Sequence, residues 1–257
     1  MRVPFVATRE LDIFISPDIG AHSHTLLVLG GRMPEPEWLR DLAGRNSAGV
    51  WAVDSGVGSC RRSGLSPQGV IGDMDSAAQE DLNWARDRGA IERLFSSDKD
   101  LTDFQLALGL WEEERRAGDS MIVSGCFGGR LDHLFSAINT FSPKLAGNGR
   151  ERHAKDRRCM ADDVEGIFFV CDGETVEMDF RRWPLSISLL PFTDRCDGVS
   201  VSGVRWPLND ATLSRGFPWA VSNEVCPLPG EEENLPTVRI NISCGEGVLA
   251  AYWSFAQ

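Results

Sequence analysis

Between residues 25 and 124, short apolar runs alternate with helical stretches, and this alternation narrows the possible folds most. The runs at 25–29, 50–53 and 69–71 are nearly free of polar residues, as strands buried on both faces are. A shorter run at 91–95 reads as an edge strand, and 121–124 as a fifth strand. Gly30-Gly31, Gly72 and Gly125 end three of these strands, and Pro36 stands where a helix can start near Glu37. Residues 81–88 and 102–116 read as helices. Such a series implies an open, mostly parallel α/β sheet. In these sheets ligands lie beyond the carboxyl ends of the strands. Those ends carry Asp54, Asp73 and Gly128-Gly129.

The flanks differ. Near the N-terminus the short patch 11–15, closed by Pro17, reads as a peripheral strand, and His22 and His24 form an H-x-H pair. A metal site needs three or four donors, so the pair reads as a solvated loop. After residue 142 comes a segment rich in Gly, Arg, Lys and Asp, followed by short β-prone runs at 166–171, 175–180, 186–190, 198–204, 219–222, 238–242 and 247–253. Turn pairs such as Asp172-Gly173 and Asp197-Gly198 separate them, a spacing that belongs to a sandwich or barrel. The expected organisation is an α/β domain over 1–142, a linker or insertion over 143–163, and an all-β domain over 164–257.

Charge and cysteines limit the partners. The formal net charge of -12 repels polyanions and disfavours a nucleic-acid role, while it suits a cationic small molecule. The seven cysteines show neither zinc-type pairs nor the density of a disulfide framework, so they read as reduced thiols that fill the core. No run approaches a membrane span, and the N-terminus lacks the layout of a signal peptide. A cytoplasmic protein with no membrane partner is expected.

Three segments carry chemistry. In Gly72-Asp73-Met74-Asp75-Ser76, two carboxylates at i and i+2 leave a strand end, as suits magnesium, a hard cation that takes oxygen ligands from one or two carboxylates and substrate phosphates. Asp98-Lys99-Asp100-Leu101-Thr102-Asp103 is a second acidic cluster, in which Thr102 can cap a helix with Asp103 in its first turn. Gly125-Cys126-Phe127-Gly128-Gly129-Arg130-Leu131-Asp132-His133 pairs glycines that admit close backbone approach with an arginine fork suited to phosphate. Each segment alone has an ordinary structural explanation as a turn or a helix cap.

Taken in order and at this spacing, Gly-Asp-Met-Asp-Ser, Lys-Asp-Leu-Thr-Asp and Gly-Gly-Arg-Leu-Asp-His closely resemble the thiamine pyrophosphokinase family. Residues 188–191, 203–208 and 221–224 resemble that family's later motifs, so the likeness spans roughly residues 25 to 255. The resemblance implies an α/β nucleotide-binding domain followed by a β-sandwich, a homodimer with shared sites, and magnesium-dependent transfer of pyrophosphate from ATP to the hydroxyl of thiamine with release of AMP. It implies that Asp73, Asp75 and Asp103 hold magnesium, with Asp54, Asp100 and Thr102 lining the site. Gly128, Gly129, Arg130, Asp132 and His133 would then shape the phosphate end, Asp100 is the candidate base, and Trp206, Ser222 and Asn223 form the thiamine pocket.

Two departures stand out. Where the family reads Asp-Gly-Gly-Ala-Asn, this chain has Asp54-Ser55-Gly56-Val57-Gly58, and the segment 143–163 is long and basic. Two other functions compete: a metal-dependent nucleotide-sugar glycosyltransferase using the DxD turn, and a non-catalytic thiamine- or nucleotide-binding regulator.

Overall fold

The computed structural model describes residues 4–16, 23–96, 100–114, 119–143, 157–226 and 237–256. Strands β1 (Val6–Ala7) and β2 (Leu11–Ser16) come first. Strand and helix then alternate through β3 (His24–Val28), α1 (Pro36–Arg45), β4 (Gly49–Val53), α2 (Gly56–Ser63), β5 (Gly69–Gly72), α3 (Gln79–Arg86), β6 (Ile91–Leu94), α4 (Asp103–Glu114), β7 (Ser120–Ser124) and α5 (Leu131–Phe141). Eight more strands follow: β8 (Arg157–Ala161), β9 (Glu165–Val170), β10 (Glu174–Phe180), β11 (Ser186–Pro191), β12 (Arg195–Ser202), β13 (Leu208–Ser214), β14 (Val238–Cys244) and β15 (Leu249–Ser254).

The chain divides into two units. In the α/β unit, His22–Phe141 with Met160–Asp163, the strand order β7-β3-β4-β5-β6 is parallel at every pairing. Leu26, Val28, Ala52, Val70 and Ile122 are almost wholly buried, as expected of strands covered on both faces. Each of these leucine, valine and isoleucine side chains contributes about 1.5–3 kcal/mol through removal from water. Helix α1 begins at Pro36 and buries Trp38, Leu39, Leu42 and Ala43 along one stripe.

The β unit is a sandwich. One antiparallel sheet has the order β1-β2-β10-β14-β12-β13, and β11-β15-β9 form antiparallel neighbours in the other, with β8 beside β9. Strands β10 and β14 alternate buried and open positions, so Val176, Met178, Phe180, Ile240 and Ile242 face inward. Phe180 of the first sheet meets Trp253 of the second edge-on, with ring centroids 6.5 Å apart.

The domain boundaries differ from the expected ones at both ends. Strand β2 pairs with β10, Ile13 opposite Met178, and Asp12 is ion-paired with Arg181 at 2.6 Å, so β1 and β2 belong with the β unit. The end of the expected linker is strand β8, buried along its whole length. Its two arginines broke up the apolar run in the sequence, yet Arg157 stacks over Phe5 at 5.3 Å and faces Glu174 at 3.8 Å. The basic residues 144–156 lie outside the described residues. His24 is not in a loop but opens β3, where Ser120 Oγ lies 2.6 Å from its Nδ1. Burial lowers its pKa, against the opposing charge of Asp119. His22 lies outside the described residues.

Candidate active site

A cleft of about 550 Å³ opens in the α/β unit, lined by Asp54, Asp73, Asp75, Asp103, Arg130 and His133 among others. The strand order reverses between β7 and β3, and Gly30, Asp54, Asp73 and Gly125, which follow β3, β4, β5 and β7, all line the cleft. This is the crevice that open α/β sheets offer to ligands.

Asp54 follows β4 with φ +45°. Its amide donates to Ile71 O at 3.0 Å, and its Oδ1 accepts from the Met74 amide at 3.3 Å. The carboxylate lies over Gly72, whose φ is +142° and where a Cβ would fall 1.9 Å from Asp54 Oδ1. Met74 has φ +64°, and across this bend the Asp75 amide donates to Asp73 Oδ1 at 3.2 Å while the two carboxyl groups stay within hydrogen-bonding reach.

Asp103 arrives from another element. It is the first residue of α4, and the two residues around it fix the helix start: Gln105 N donates to Thr102 Oγ1 at 3.2 Å and Thr102 N donates to Gln105 Oε1 at 2.9 Å. This reciprocal cap satisfies two otherwise unpaired amides. It also occupies the Thr102 hydroxyl, which lines the cleft as a helix cap.

One carboxylate oxygen from each of Asp54, Asp73 and Asp103 lies within 4.8 Å of the others, and all three residues are half-buried. Asp54 is pushed up to about 7 by burial, by a hydrogen bond and like charge from Asp103, and by the charge of Asp73, against the Met74 amide. The all-oxygen donor set fits magnesium, whose charge would relieve this repulsion and which keeps open positions for water and phosphate oxygens. Asp75 is outside that group of three. It sits at the solvent-exposed rim of the cleft, and its pKa is raised by a hydrogen bond and like charge from Asp73. Asp100 is exposed and absent from the residues lining the cleft, because it precedes the cap of α4 by two residues. Asp98 and Lys99 lie outside the described residues.

At the other wall, Gly128 and Gly129 have φ +68° and +70°, a left-handed pair that only glycine adopts without strain. They deliver the chain to the start of α5. Arg130 makes a bidentate pair with Asp132, Nε to Oδ1 at 3.1 Å and Nη2 to Oδ2 at 2.6 Å, and the His133 amide also donates to Asp132. The pair raises the Arg130 pKa and lowers that of Asp132. Arg130 and His133 line the cleft, whereas Asp132 does not.

Ser55 has φ -61°, an ordinary helical value, so the position needs no glycine. A side chain at Gly30, by contrast, would collide with the Ser55 hydroxyl. Gly31 and Ser76 also line the cleft but were not among the expected site residues. The signal for Gly31 was the Gly30-Gly31 pair ending β3, whose second amide donates to Gly125 O at 2.7 Å.

The remaining candidates lie in the β unit. Trp206 is 52% exposed. Asn223 clamps its backbone, accepting from Trp206 N at 3.1 Å and donating to Trp206 O at 2.7 Å. Arg205 covers the indole at 4.9 Å and pairs with Glu224 at 2.7 Å. Ser222 holds φ +56° with its amide on Ser188 Oγ at 3.0 Å. Trp219 and Val221 are each 48% exposed. Trp206, Ser222 and Asn223 are thus brought together locally, on a segment that makes isolated bridges, among them Ile187 with Asn223, instead of the expected strand at 219–222.

The family model described as thiamin pyrophosphokinase, catalytic domain, matches residues 42–147, and that described as thiamin pyrophosphokinase, vitamin B1 binding domain, matches residues 177–232. A thiamine pyrophosphokinase from Bacillus subtilis (strain 168) is 28% identical over 68% of this chain and 78% of its own length. Another from Oryza sativa subsp. japonica is 27% identical over 68% of this chain and 62% of its own length. Among solved structures, the Bacillus subtilis thiamine pyrophosphokinase superposes with a TM-score of 0.70 at 21% identity, covering 91% of this chain and 100% of the other. The Candida albicans thiamin pyrophosphokinase gives 0.66 at 16% identity, over 90% of each chain. At these identities the superpositions establish the shared fold.

Proposed function

The chain belongs to the thiamin pyrophosphokinase family, and on that premise we propose that it transfers pyrophosphate from ATP to the hydroxyl of thiamine, giving thiamine diphosphate and AMP. The observation that carries this reading is the meeting of Asp54, Asp73 and Asp103 in one cleft with Arg130 and the start of α5. The glycosyltransferase does not account for the match of both halves of the chain to this one family, and the regulator gives no use to three carboxylates meeting in a cleft with Arg130.

Asp54, Asp73 and Asp103 would hold magnesium, with Asp75 at its rim. The bound cation would supply charge neutralisation for the triphosphate. The Gly128-Gly129 turn, the first amides of α5 and the Arg130 fork orient the phosphates. The thiamine hydroxyl oxygen bonds to the β-phosphorus. The bond from that phosphorus to the bridging oxygen breaks, AMP leaves with the electron pair, and the hydroxyl proton passes to water. Stabilising the charge on the leaving oxygens is the main demand of such a transfer. Asp100, exposed outside the cleft lining, is assigned no part in proton removal.

Trp206, with Ser222 and Asn223, is the proposed seat of thiamine, an exposed indole suited to a thiazolium cation. We place these residues opposite the cleft of a second copy, in a homodimer with shared sites, since exposed indoles at Trp206 and Trp219 mark an interaction surface. Seven free thiols, six of them buried, fit a cytoplasmic enzyme. Incubation with ATP, magnesium and thiamine, with products read by mass, tests the activity. Thiamine diphosphate and AMP should appear in equal amounts, and their absence refutes it.

A further inference from the structure

A second cavity, of about 200 Å³, lies under α4 in the α/β unit and, among the described residues, shares no lining residue with the cleft. Its floor follows from the sheet register. Thr25 stands opposite Met121, Leu27 opposite Trp51, and Trp51 opposite Gly69, so their side chains share one face. A Cβ at Gly69 would lie 2.2 Å from Trp51 Cζ3, so the indole covers the space above the glycine. The roof is the later part of α4, where Ala107 is small and buried and Leu110 and Trp111 stand beside it. The space is half open to solvent and lined by both polar and apolar side chains, and since an enclosed apolar cavity of about 150 Å³ already holds a benzene ring, a ring of that size fits within it.

The mouth is polar. Arg93 pairs with Glu114 at 3.0 Å and lies 5.6 Å from the centre of the Trp51 ring. Asp119, itself buried, also lines the cavity and accepts from Ser23 Oγ at 2.9 Å. One carboxylate at the mouth and a second buried in the wall of a cavity lined by two indoles, Leu27 and Met121 call for a flat ligand that is apolar across its faces and donates a hydrogen bond from one edge.

We propose that this cavity is a binding site for a small uncharged aryl molecule with a hydrogen-bond donor, of the size of indole or phenol. The site is separate from pyrophosphate transfer and does not depend on it.

Calorimetric titration of the full chain with indole tests the proposal. A saturable one-site isotherm with a Kd of about 0.1 mM is expected for a ligand of this size. Ala107→Phe fills the cavity and should weaken binding at least tenfold. Leu110→Trp, at a half-buried position near the mouth, should do the same without disturbing the floor. Trp206→Ala should leave the isotherm unchanged. A wild-type titration that does not saturate overturns the proposal. So does binding that survives both filling substitutions, or binding that is lost in Trp206→Ala.

Discussion

The carboxylate of Asp54 occupies the space that any side chain at position 72 would need, since a Cβ on Gly72 would fall 1.9 Å from Asp54 Oδ1. Gly72→Ala must therefore displace Asp54 and also adopt φ +142°, which L-residues rarely do. We expect a loss of about 1–3 kcal/mol in stability and a fall of at least about tenfold in kcat/KM. Denaturant unfolding and steady-state kinetics on the same preparation measure both.

Asp73→Asn removes one charge from the proposed magnesium site at nearly constant shape. Turnover should drop by about two to three orders of magnitude, the circular dichroism spectrum should not change, and calorimetric magnesium affinity in the presence of ATP should weaken. Turnover within a few-fold of wild type would remove Asp73 from the metal assignment.

Arg130→Lys keeps the charge and loses the fork. A lysine cannot reproduce two parallel hydrogen bonds to phosphate, so kcat/KM for ATP should fall by about tenfold or more, while KM for thiamine stays near its wild-type value. Unchanged ATP kinetics would make Arg130 a structural residue.

Asp54 sets a pH dependence in the metal-free protein. Its pKa rises from 3.8 in the unfolded chain to about 7 in the fold, so its favourable contribution is present below about pH 4 and is lost as the pH rises through about 7. Asp54→Asn removes that loss. Without magnesium the variant should be more stable than wild type at about pH 8 by about 1–2 kcal/mol, after allowance for solvent screening of a part-exposed group, and the gain should shrink toward about pH 5. Thermal melts in chelator across that range decide it. A variant less stable than wild type at high pH contradicts the like-charge account.

The proposed shared-site dimer makes a prediction of its own. Mixing Asp73→Asn chains with Trp206→Ala chains and allowing exchange should restore about a quarter of wild-type activity, because each mixed dimer holds one intact site. No recovery despite exchange, seen by mass, would mean that each chain builds its site alone.

The parallel sheet was legible because its strands are buried on both faces, and an unbroken apolar run leaves little else to fold into. Strand β13 was not, since only Leu213 of its seven residues is buried and nothing alternates. Strand β2 showed as a short apolar patch but without its partner, as the pairing of Leu11 with Phe180 spans most of the chain. The site divides in the same way. Asp73 and the capping role of Thr102 could be read locally, through a strand end and a helix start. That Asp54 rather than Asp75 completes the group of three depends on the turn at Met74 and on the space above Gly72, and neither is written in a DxD pattern. The separation of Asp100 from the cleft is likewise a matter of where α4 begins.

The pairing of Arg130 with Asp132 carries a kinetic consequence. The guanidinium is bidentate to the Asp132 carboxylate, so on the proposed mechanism ATP enters by exchange, displacing one anion from Arg130 with another. The same carboxylate waits one residue into α5 when the reaction ends. As the products loosen, Asp132 can take the arginine back, so the departing anion need not leave a bare cation behind it. The pair would thus weaken substrate capture slightly and speed the turnover step in which products must leave.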